Sequence, residues 1–338
     1  MKITILPIIF ISLYTFIIFS SENNKNSDIV IVLVPGIRGN ATDRGYSDNL
    51  LTLIPSRHKQ HKMGTLSLDE KPDLSQTRCL QHLSEKIEPY LQNNIVFVST
   101  SQGSGTTTKY IAQNQQLLKN SVKALICEGY TASFNQCLSH VVETALPFSY
   151  YVPFKYYWLP YVVRYLPYFK KTFFPFMHYN PAAQQPLECL KHLPQELPII
   201  IVHCKQDRIT PYEGATIAYY LLRSTGHDNA YFFSVDKTEQ TLLQNLDDGH
   251  INTLTDEQQR NDLEVIINHA LIGHTVPYNI TKKYQPDRNQ FEVNANNLIA
   301  KETWLKKFDT FLKIGKYWLL IYCIWKAENY IGTKKRNL

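Results

Sequence analysis

One serine, Ser101, stands where an apolar run meets a predicted helix. Residues 95–100 form a short apolar run that is typical of a buried strand, and residues 107–112 have a helical pattern. A serine at the tip of a tight strand-to-helix corner is held in a strained conformation that suits a nucleophile. Such a corner requires small residues two positions before and two positions after the serine. Here these residues are Ser99 and Gly103, so the pattern predicts a nucleophilic serine.

A serine hydroxyl is a weak nucleophile unless a base takes its proton, and the base needs an orienting partner. Two later residues supply these groups in the chain order expected after such a corner, which is serine, acid, histidine. Asp207 follows the strand predicted at 198–203, and it is the candidate acid. His250 lies in the loop after the strand predicted at 230–235, and it is the candidate base.

Other residues remain alternatives for these roles. Glu128 ends the strand predicted at 122–127, and a strand end there also faces the site, so it is the alternative acid. Asp207 could instead cap the helix that begins near Pro211. Ser101 could cap its helix beside a phosphate-binding loop, although no lysine follows it as in a P-loop. The competing histidines, which lack the strand-end position, are His227, His269 and His274.

The candidate residues depend on strands that alternate with helices along the chain. A continuous β-branched run at 29–34 indicates a strand that is buried on both faces, as in a parallel sheet. The alternation predicts an α/β fold, a mostly parallel sheet flanked by helices. Further strands are predicted at 63–68, 95–100, 122–127, 198–203 and 230–235, and helices at 48–54, 74–91, from the serine corner to about 118, and at 212–223.

The chain resembles the serine hydrolases of the α/β-hydrolase fold, which include esterases and lipases. Three pieces carry the resemblance: residues 34–39 (Val-Pro-Gly-Ile-Arg-Gly), the corner at 99–103, and the loops around Asp207 and His250. The resemblance extends over about residues 28–270.

The resemblance implies a role for each matching residue. Ser101 would be the nucleophile, His250 the general base and then acid, and Asp207 the group that fixes the tautomer of the histidine. The oxyanion hole would consist of the backbone N–H groups of Gln102 and Ile37. The reaction would proceed through an acyl-enzyme, with no cofactor and no metal ion.

The sequence departs from the family pattern at three places. Ser99 replaces the first glycine of the usual G-x-S-x-G pattern, and the turn Pro35–Gly36 lacks the His-Gly start of many members. About seven residues separate the N-terminal apolar segment from the strand at 29–34, so we expect the leading antiparallel strands of the family to be absent.

The chain divides into three parts by composition. Residues 1–21 carry one charge and an apolar run at 3–19, which predicts a cleaved signal peptide or an N-terminal membrane anchor. Either predicts an exported protein, secreted or periplasmic, or anchored through that run. The hydrolase-like domain is expected at 28–274, with a cap insertion at about 130–190, and a C-terminal helical extension at 275–338.

The insertion and the C-terminal part are rich in aromatic residues. Fifteen aromatic residues lie between 147 and 179. They predict an apolar tunnel or lid, a patch that contacts a membrane surface, or the small core of the insertion itself. Residues 297–312 could form an amphipathic helix. Residues 317–325 are too short to span a bilayer, so they predict an interfacial helix or a packed C-terminal helix.

Composition limits the other functions. The net charge of +6 over 338 residues shows no basic stripe with interleaved aromatic residues, so nucleic-acid binding is not expected. The six cysteines form no C-x-x-C pair, which argues against a zinc site. We therefore predict hydrolysis of a carboxylic ester with a lipophilic acyl group. A thioesterase, a serine peptidase and an inactive binding protein on the same scaffold remain alternatives.

Overall fold

The structure is a computed structural model, and it describes residues 15–20, 29–34, 36, 52–54, 62–67, 76–145, 180, 182–236, 254, 256–288 and 291–336. Seven strands lie in these residues: β1 Thr15–Ser20, β2 Ile29–Val34, β3 Lys62–Ser67, β4 Asn94–Thr100, β5 Val122–Glu128, β6 Ile199–Cys204 and β7 Ala230–Val235. They form one sheet of order β3-β1-β2-β4-β5-β6-β7.

Five neighbouring strands, β2, β4, β5, β6 and β7, pair in parallel. All six residues of β6 are buried, and so are five of the six residues of β2. Strands covered on both faces read as continuous apolar runs rather than alternating ones, which is why their positions were predictable. The parallel α/β prediction is confirmed. Because the strands are parallel, their carboxyl ends meet at one edge of the sheet, and the loops that follow them lie close together.

Helices cover both faces of the sheet. They are α1 Gln76–Ile87, α2 Gln102–Gln113, α3 Gln115–Leu118, α4 Phe134–Ala145, α5 Pro186–Cys189, α6 Tyr212–Ser224, α7 Glu257–Ile272, α8 Tyr278–Tyr284 and α9 Phe291–Arg336. Val30 and Val32 of β2 belong to the core that α1, α2, α6 and α9 cover, whereas Ile31 and Leu33 belong to the core under α7 and α8. The strand alternation therefore divides one apolar run between two cores.

The N-terminal strand β1 corrects one expectation. It pairs antiparallel with both β2 and β3, with Ile17 opposite Leu33 and Thr65. A leading antiparallel strand is therefore present, and its predicted absence is wrong. The physical reason is that a short run such as Thr-Phe-Ile-Ile-Phe-Ser has the same apolar composition in a strand as in an export segment. Cleavage after residue 21 would remove β1 from the sheet. Export through residues 3–19 stays a prediction.

The C-terminal extension contains one long helix, α9, where the sequence suggested two helical segments. Leu298 and Leu305 of this helix are buried, and α9 packs against α6. The Glu302 carboxylate is buried as well. It accepts hydrogen bonds from Ser133 Oγ and, at 2.6 Å, from Asn135 Nδ2. These two residues lie at the start of α4, where the helix dipole favours a negative charge.

Several predicted features lie outside the described residues. These are the aromatic stretch at 147–179, His250 and Ile37. In the part of the chain that the structure describes, no helix is both long enough and apolar enough to cross a membrane.

A lysine is buried in α2, the helix that follows Ser101. Lys109 is 4 % exposed, and its Nζ donates a hydrogen bond to Gln184 O at 2.8 Å. Burial lowers the pKa of Lys109 from 10.5 to about 8, because desolvation disfavours the charged form. The neighbouring Cys189 and Glu188 side chains oppose this shift in part. At neutral pH the folded protein therefore keeps a buried ammonium group at a cost in stability.

Lys109→Met should increase the free energy of unfolding at pH 7 by up to about 3 kcal/mol, the equivalent of the pKa shift. The penalty of the wild type is complete below pH 8 and is relieved as the pH rises toward 10.5, because only the unfolded chain then binds the proton. Urea unfolding between pH 7 and pH 10 should thus show a rising stability for the wild type and a flatter profile for the variant. Lys119→Met, at an exposed position, is the control. Equal slopes for Lys109→Met and the wild type would contradict the prediction.

Candidate active site

Ser101 occupies the corner between β4 and α2 in a strained conformation. Its φ is 52° and its ψ is −128°, and it is the only non-glycine residue with positive φ among the described residues. Such a conformation costs about 1–3 kcal/mol and persists only where the surroundings enforce it. Here the Ser101 N–H donates to Glu128 O of the neighbouring strand at 2.8 Å. The Ser101 carbonyl accepts from Ser104 N at 3.0 Å and from Ser104 Oγ at 2.5 Å.

The residue two positions before the corner is accommodated by the neighbouring strand. Ser99 is fully buried in β4, and its Oγ lies 4.0 Å from Cys127 Sγ of β5. Burial raises the pKa of the Cys127 thiol, while the contact with Ser99 lowers it in part, so this thiol stays protonated. The serine that replaces the usual glycine therefore packs beside the Cys127 side chain of β5.

The turn after β2 approaches Ser101 very closely. The Gly36 N–H donates to Thr100 Oγ1 at 3.1 Å. A Cβ atom at Gly36 would lie 2.5 Å from Ser101 Cβ and 3.0 Å from Ser101 Oγ, closer than real Cβ contacts. Position 36 therefore requires glycine. The sequence signalled this residue only through its Pro-Gly turn, and its direct contact with the serine was not predicted.

Gln102, one predicted donor of the oxyanion hole, is the first residue of α2. The N–H groups in the first turn of a helix have no partner within the helix, so they are available to an anion. Gln102 is 2 % exposed, and its side-chain Oε1 has no hydrogen-bond partner among the described residues. Its position fits the predicted role, which remains a prediction together with that of Ile37.

Asp207 follows β6, and several hydrogen bonds fix its carboxylate. Oδ1 accepts from Ile209 N and Thr210 N, each at 2.8 Å, and Oδ2 accepts from Thr210 Oγ1. These bonds are to the loop that precedes α6, whose N-cap is Pro211. The Asp207 carboxylate therefore orders the loop before α6. The alternative interpretation, in which Asp207 caps that helix, does not describe these bonds.

His203 is a partner of Asp207 that the sequence reasoning missed. Its Nε2 lies 3.3 Å from Asp207 Oδ2 and 3.0 Å from Thr210 O, and both side chains of the pair are completely buried. Both neighbours of Nε2 are acceptors, so Nε2 carries the proton. The sequence signal that could have predicted this contact is the position of His203, four residues before Asp207 at the end of a buried strand.

The strand order places Ser101 and Asp207 at a useful separation. They follow β4 and β6, and only β5 lies between these strands. With neighbouring strands about 4.8 Å apart, the two strand ends are separated by roughly 10 Å. A histidine that hydrogen-bonds to both a serine and a carboxylate spans about 8 Å. The predicted bridging residue, His250, lies outside the described residues, so the triad stays a prediction.

The other candidate residues have partners of their own. His227 is buried, with its Nε2 3.1 Å from Leu193 O, and it precedes β7 at the opposite edge of the sheet. His269 Nδ1 lies 3.0 Å from Thr275 O, and its ring contacts His274. These hydrogen bonds and this ring contact do not involve the serine corner.

The alternative acid, Glu128, lies close to the corner. It is 1 % exposed at the end of β5, and its backbone carbonyl is the acceptor for Ser101 N–H. It pairs with Thr100 on one side and Val202 on the other. Because it lies between β4 and β6, Glu128 remains the alternative candidate for the acid of the site.

Helix α4 covers the loop of the candidate acid. His140 Nε2 lies 3.0 Å from Asp207 O. Burial raises the pKa of Cys137, and the nearby negative charge of Asp207 raises it further. Cysteines 79, 127, 137, 189 and 204 are free thiols. Within the described residues, no group of three His, Cys, Asp or Glu side chains could hold a metal ion.

The sheet order, the strained serine between β4 and α2, and the acid after β6 define the architecture of the α/β-hydrolase fold. No protein-family model matches the chain, and no curated protein matches it in sequence.

Solved structures of this fold are similar to the chain. An α/β-hydrolase enzyme from a Medee basin deep-sea metagenome library is 14% identical, with a TM-score of 0.45, covering 78% of this chain and 94% of the other. An esterase from Pyrococcus furiosus is 10% identical, with a TM-score of 0.46, covering 76% and 91%. The meta-cleavage product hydrolase from Pseudomonas fluorescens is 12% identical, with a TM-score of 0.42, covering 77% and 97%.

Gly36→Ala should displace the corner, because the new methyl group would overlap Ser101 Cβ. A displacement of about 1 Å at a nucleophile can lower its reactivity about a hundredfold. The measurement is the rate at which a fluorophosphonate modifies the Ser101 hydroxyl, with circular dichroism as the test of folding. Gly315→Ala is the matched control, because a Cβ there meets nothing within 4 Å. A folded Gly36→Ala protein that reacts at the wild-type rate would disprove the close approach.

Proposed function

We propose that the chain is a serine hydrolase that cleaves a carboxylic ester through an acyl-enzyme, with Ser101 as nucleophile, His250 as base and Asp207 as orienting acid. The observation that carries the proposal is the strained backbone of Ser101, which is in close contact with Gly36. Among the described residues, Ser101 is the only non-glycine residue with positive φ. Strain of this kind clusters at active sites, because it presents a side chain that a relaxed strand–helix junction would turn away.

In the proposed reaction, Ser101 Oγ attacks the ester carbonyl carbon while His250 takes the hydroxyl proton. The carbonyl electrons move to its oxygen, and the N–H groups of Gln102 and Ile37 stabilise that charge. Collapse of the tetrahedral intermediate expels the alcohol, which receives the proton from His250. Water then attacks the acyl-enzyme in the same way and releases the carboxylic acid. The hydrogen bonds to Asp207 support its part, because they hold the carboxylate in one orientation.

The lipophilic acyl group is proposed from the sequence of the cap insertion. Fifteen aromatic residues between 147 and 179 would supply an apolar wall near the carboxyl edge of the sheet. Export through residues 3–19 likewise remains a proposal, and the small lipophilic ester is the partner expected for the site.

A fluorophosphonate probe should label the wild-type protein, and Ser101→Ala should abolish the labelling, because the probe reacts with an activated serine hydroxyl. Ser224→Ala, which changes an exposed serine at the end of α6, should leave labelling unchanged. Labelling is read by mass spectrometry of the intact protein and its peptides. A folded wild-type protein that stays unlabelled would favour a binding protein on a hydrolase scaffold.

Hydrolysis of p-nitrophenyl esters should become more efficient as the acyl chain lengthens from acetyl. Each methylene that enters an apolar pocket contributes about 0.8 kcal/mol, so kcat/KM should rise about threefold to fourfold per added methylene until the pocket is full. The series from acetate to decanoate measures this slope. A preference for acetyl esters would reject the lipophilic substrate without rejecting the hydrolase.

A further inference from the structure

Helix α9 has two faces of different character. Its docked face consists of residues at helical spacing, each almost completely buried: Leu298, Glu302, Leu305 and Asp309. This face includes both acidic residues of the segment from 294 to 315. Glu302 bonds to the start of α4, and Asp309 lies 2.7 Å from Lys313 Nζ.

The outward face of α9 is aromatic. Trp304, Phe311 and Tyr322 are 42 %, 68 % and 51 % exposed, and their spacing of seven and eleven residues places them on one side of the helix. The Trp304 and Phe308 rings stack with centroids 4.8 Å apart, and Phe308 stacks on Phe311 at 6.5 Å. The rings of Trp304, Phe308 and Phe311 therefore stack in a row along the helix.

The charge on the exposed side of this helix is positive. Lys307 is exposed beside the aromatic rings, and Lys313 keeps 64 % of its side chain accessible although it pairs with Asp309. From residue 313 to residue 336 the sequence contains six Lys or Arg residues and one Glu. Asp309 offsets part of this charge through its pair with Lys313, whereas Glu302 is buried against the start of α4.

We propose that the outward face of α9, the strip of Trp304, Phe308, Phe311 and Tyr322 with its flanking lysines, binds an anionic lipid surface. Tryptophan and tyrosine rings are suited to the boundary between headgroups and acyl chains, and basic residues are attracted to anionic headgroups. A helix with these two properties lies in the plane of the interface. A second copy of the chain would fit less well, because two such faces would bring like charges together.

The way α9 packs on the domain determines which edge of the sheet would face the lipid surface. Glu302 bonds to Ser133 and Asn135, which follow β5 at the edge of the sheet where Ser101 lies. A lipid surface that holds α9 would therefore lie near the edge with the candidate active site. The lipid-binding proposal does not depend on catalysis, since it concerns a different surface and is measured without turnover.

The test is flotation of the full chain with phosphatidylcholine vesicles that contain about a third phosphatidylserine. We expect the wild type to float with these vesicles, to bind pure phosphatidylcholine at least tenfold more weakly, and to lose affinity as salt rises. The double variant Trp304→Ser/Phe311→Ser should lower the partition coefficient at least tenfold, because it removes two exposed rings that would enter the lipid interface. Lys307→Glu should lower it about tenfold or more, because it reverses a charge near the surface.

The matched control variants replace an exposed aromatic residue and an exposed lysine outside α9. Tyr278→Ser and Lys119→Glu should bind as the wild type does. Circular dichroism and urea unfolding establish that each variant is folded. The proposal is overturned if the wild type does not float with the anionic vesicles, or if the α9 variants float as well as the controls. A wild-type dimer that the double variant converts to a monomer, without lipid binding, would assign the face to a second copy.

Discussion

The contact between Gly36 and Ser101 is the constraint on which the rest of the site depends. Two parallel neighbours, β2 and β4, end side by side, and the turn after the first strand lies against the corner after the second. The absence of a side chain at Gly36 lets the Ser101 Cβ occupy the space that the strained backbone requires. Both strands must end in register for this contact to form, so the pairing of Val34 with Ser99 is part of the geometry of the candidate site.

Helix α2 shows how the fold sustains that strain. Every residue from 102 to 111 is buried, although most of them are small or polar. Thr107 Oγ1 donates to Gly103 O at 2.9 Å, and Thr108 Oγ1 donates to Ser104 O at 2.8 Å, so buried hydroxyls are satisfied within the helix. A Cβ at Gly105 would lie 2.8 Å from Pro186 of α5. Close packing on all sides leaves the corner little freedom to relax.

The five parallel strands were predictable from the sequence because strands that are buried on both faces consist of unbroken apolar runs. It also predicted that Ser101 and Asp207 follow strands of one sheet. It did not predict β1, because a six-residue apolar run near the start of a chain is equally typical of an export segment. It did not predict the His203 contact with Asp207, since that contact depends on how the loop after β6 folds back on the strand end. Local sequence patterns predict helices and strands, whereas a contact made by a loop that folds back on its strand depends on tertiary packing.

The length of α9 has a mechanical consequence. A helix of 46 residues is about 69 Å long at 1.5 Å per residue. Its buried contacts include Ala295, Leu298, Glu302, Leu305 and Asp309, all within its first 19 residues. These described contacts anchor α9 around Glu302. Because a continuous helix is stiff, a force applied along α9 would reach this anchored segment and pass through Asn135 to α4, whose His140 Nε2 lies 3.0 Å from Asp207 O.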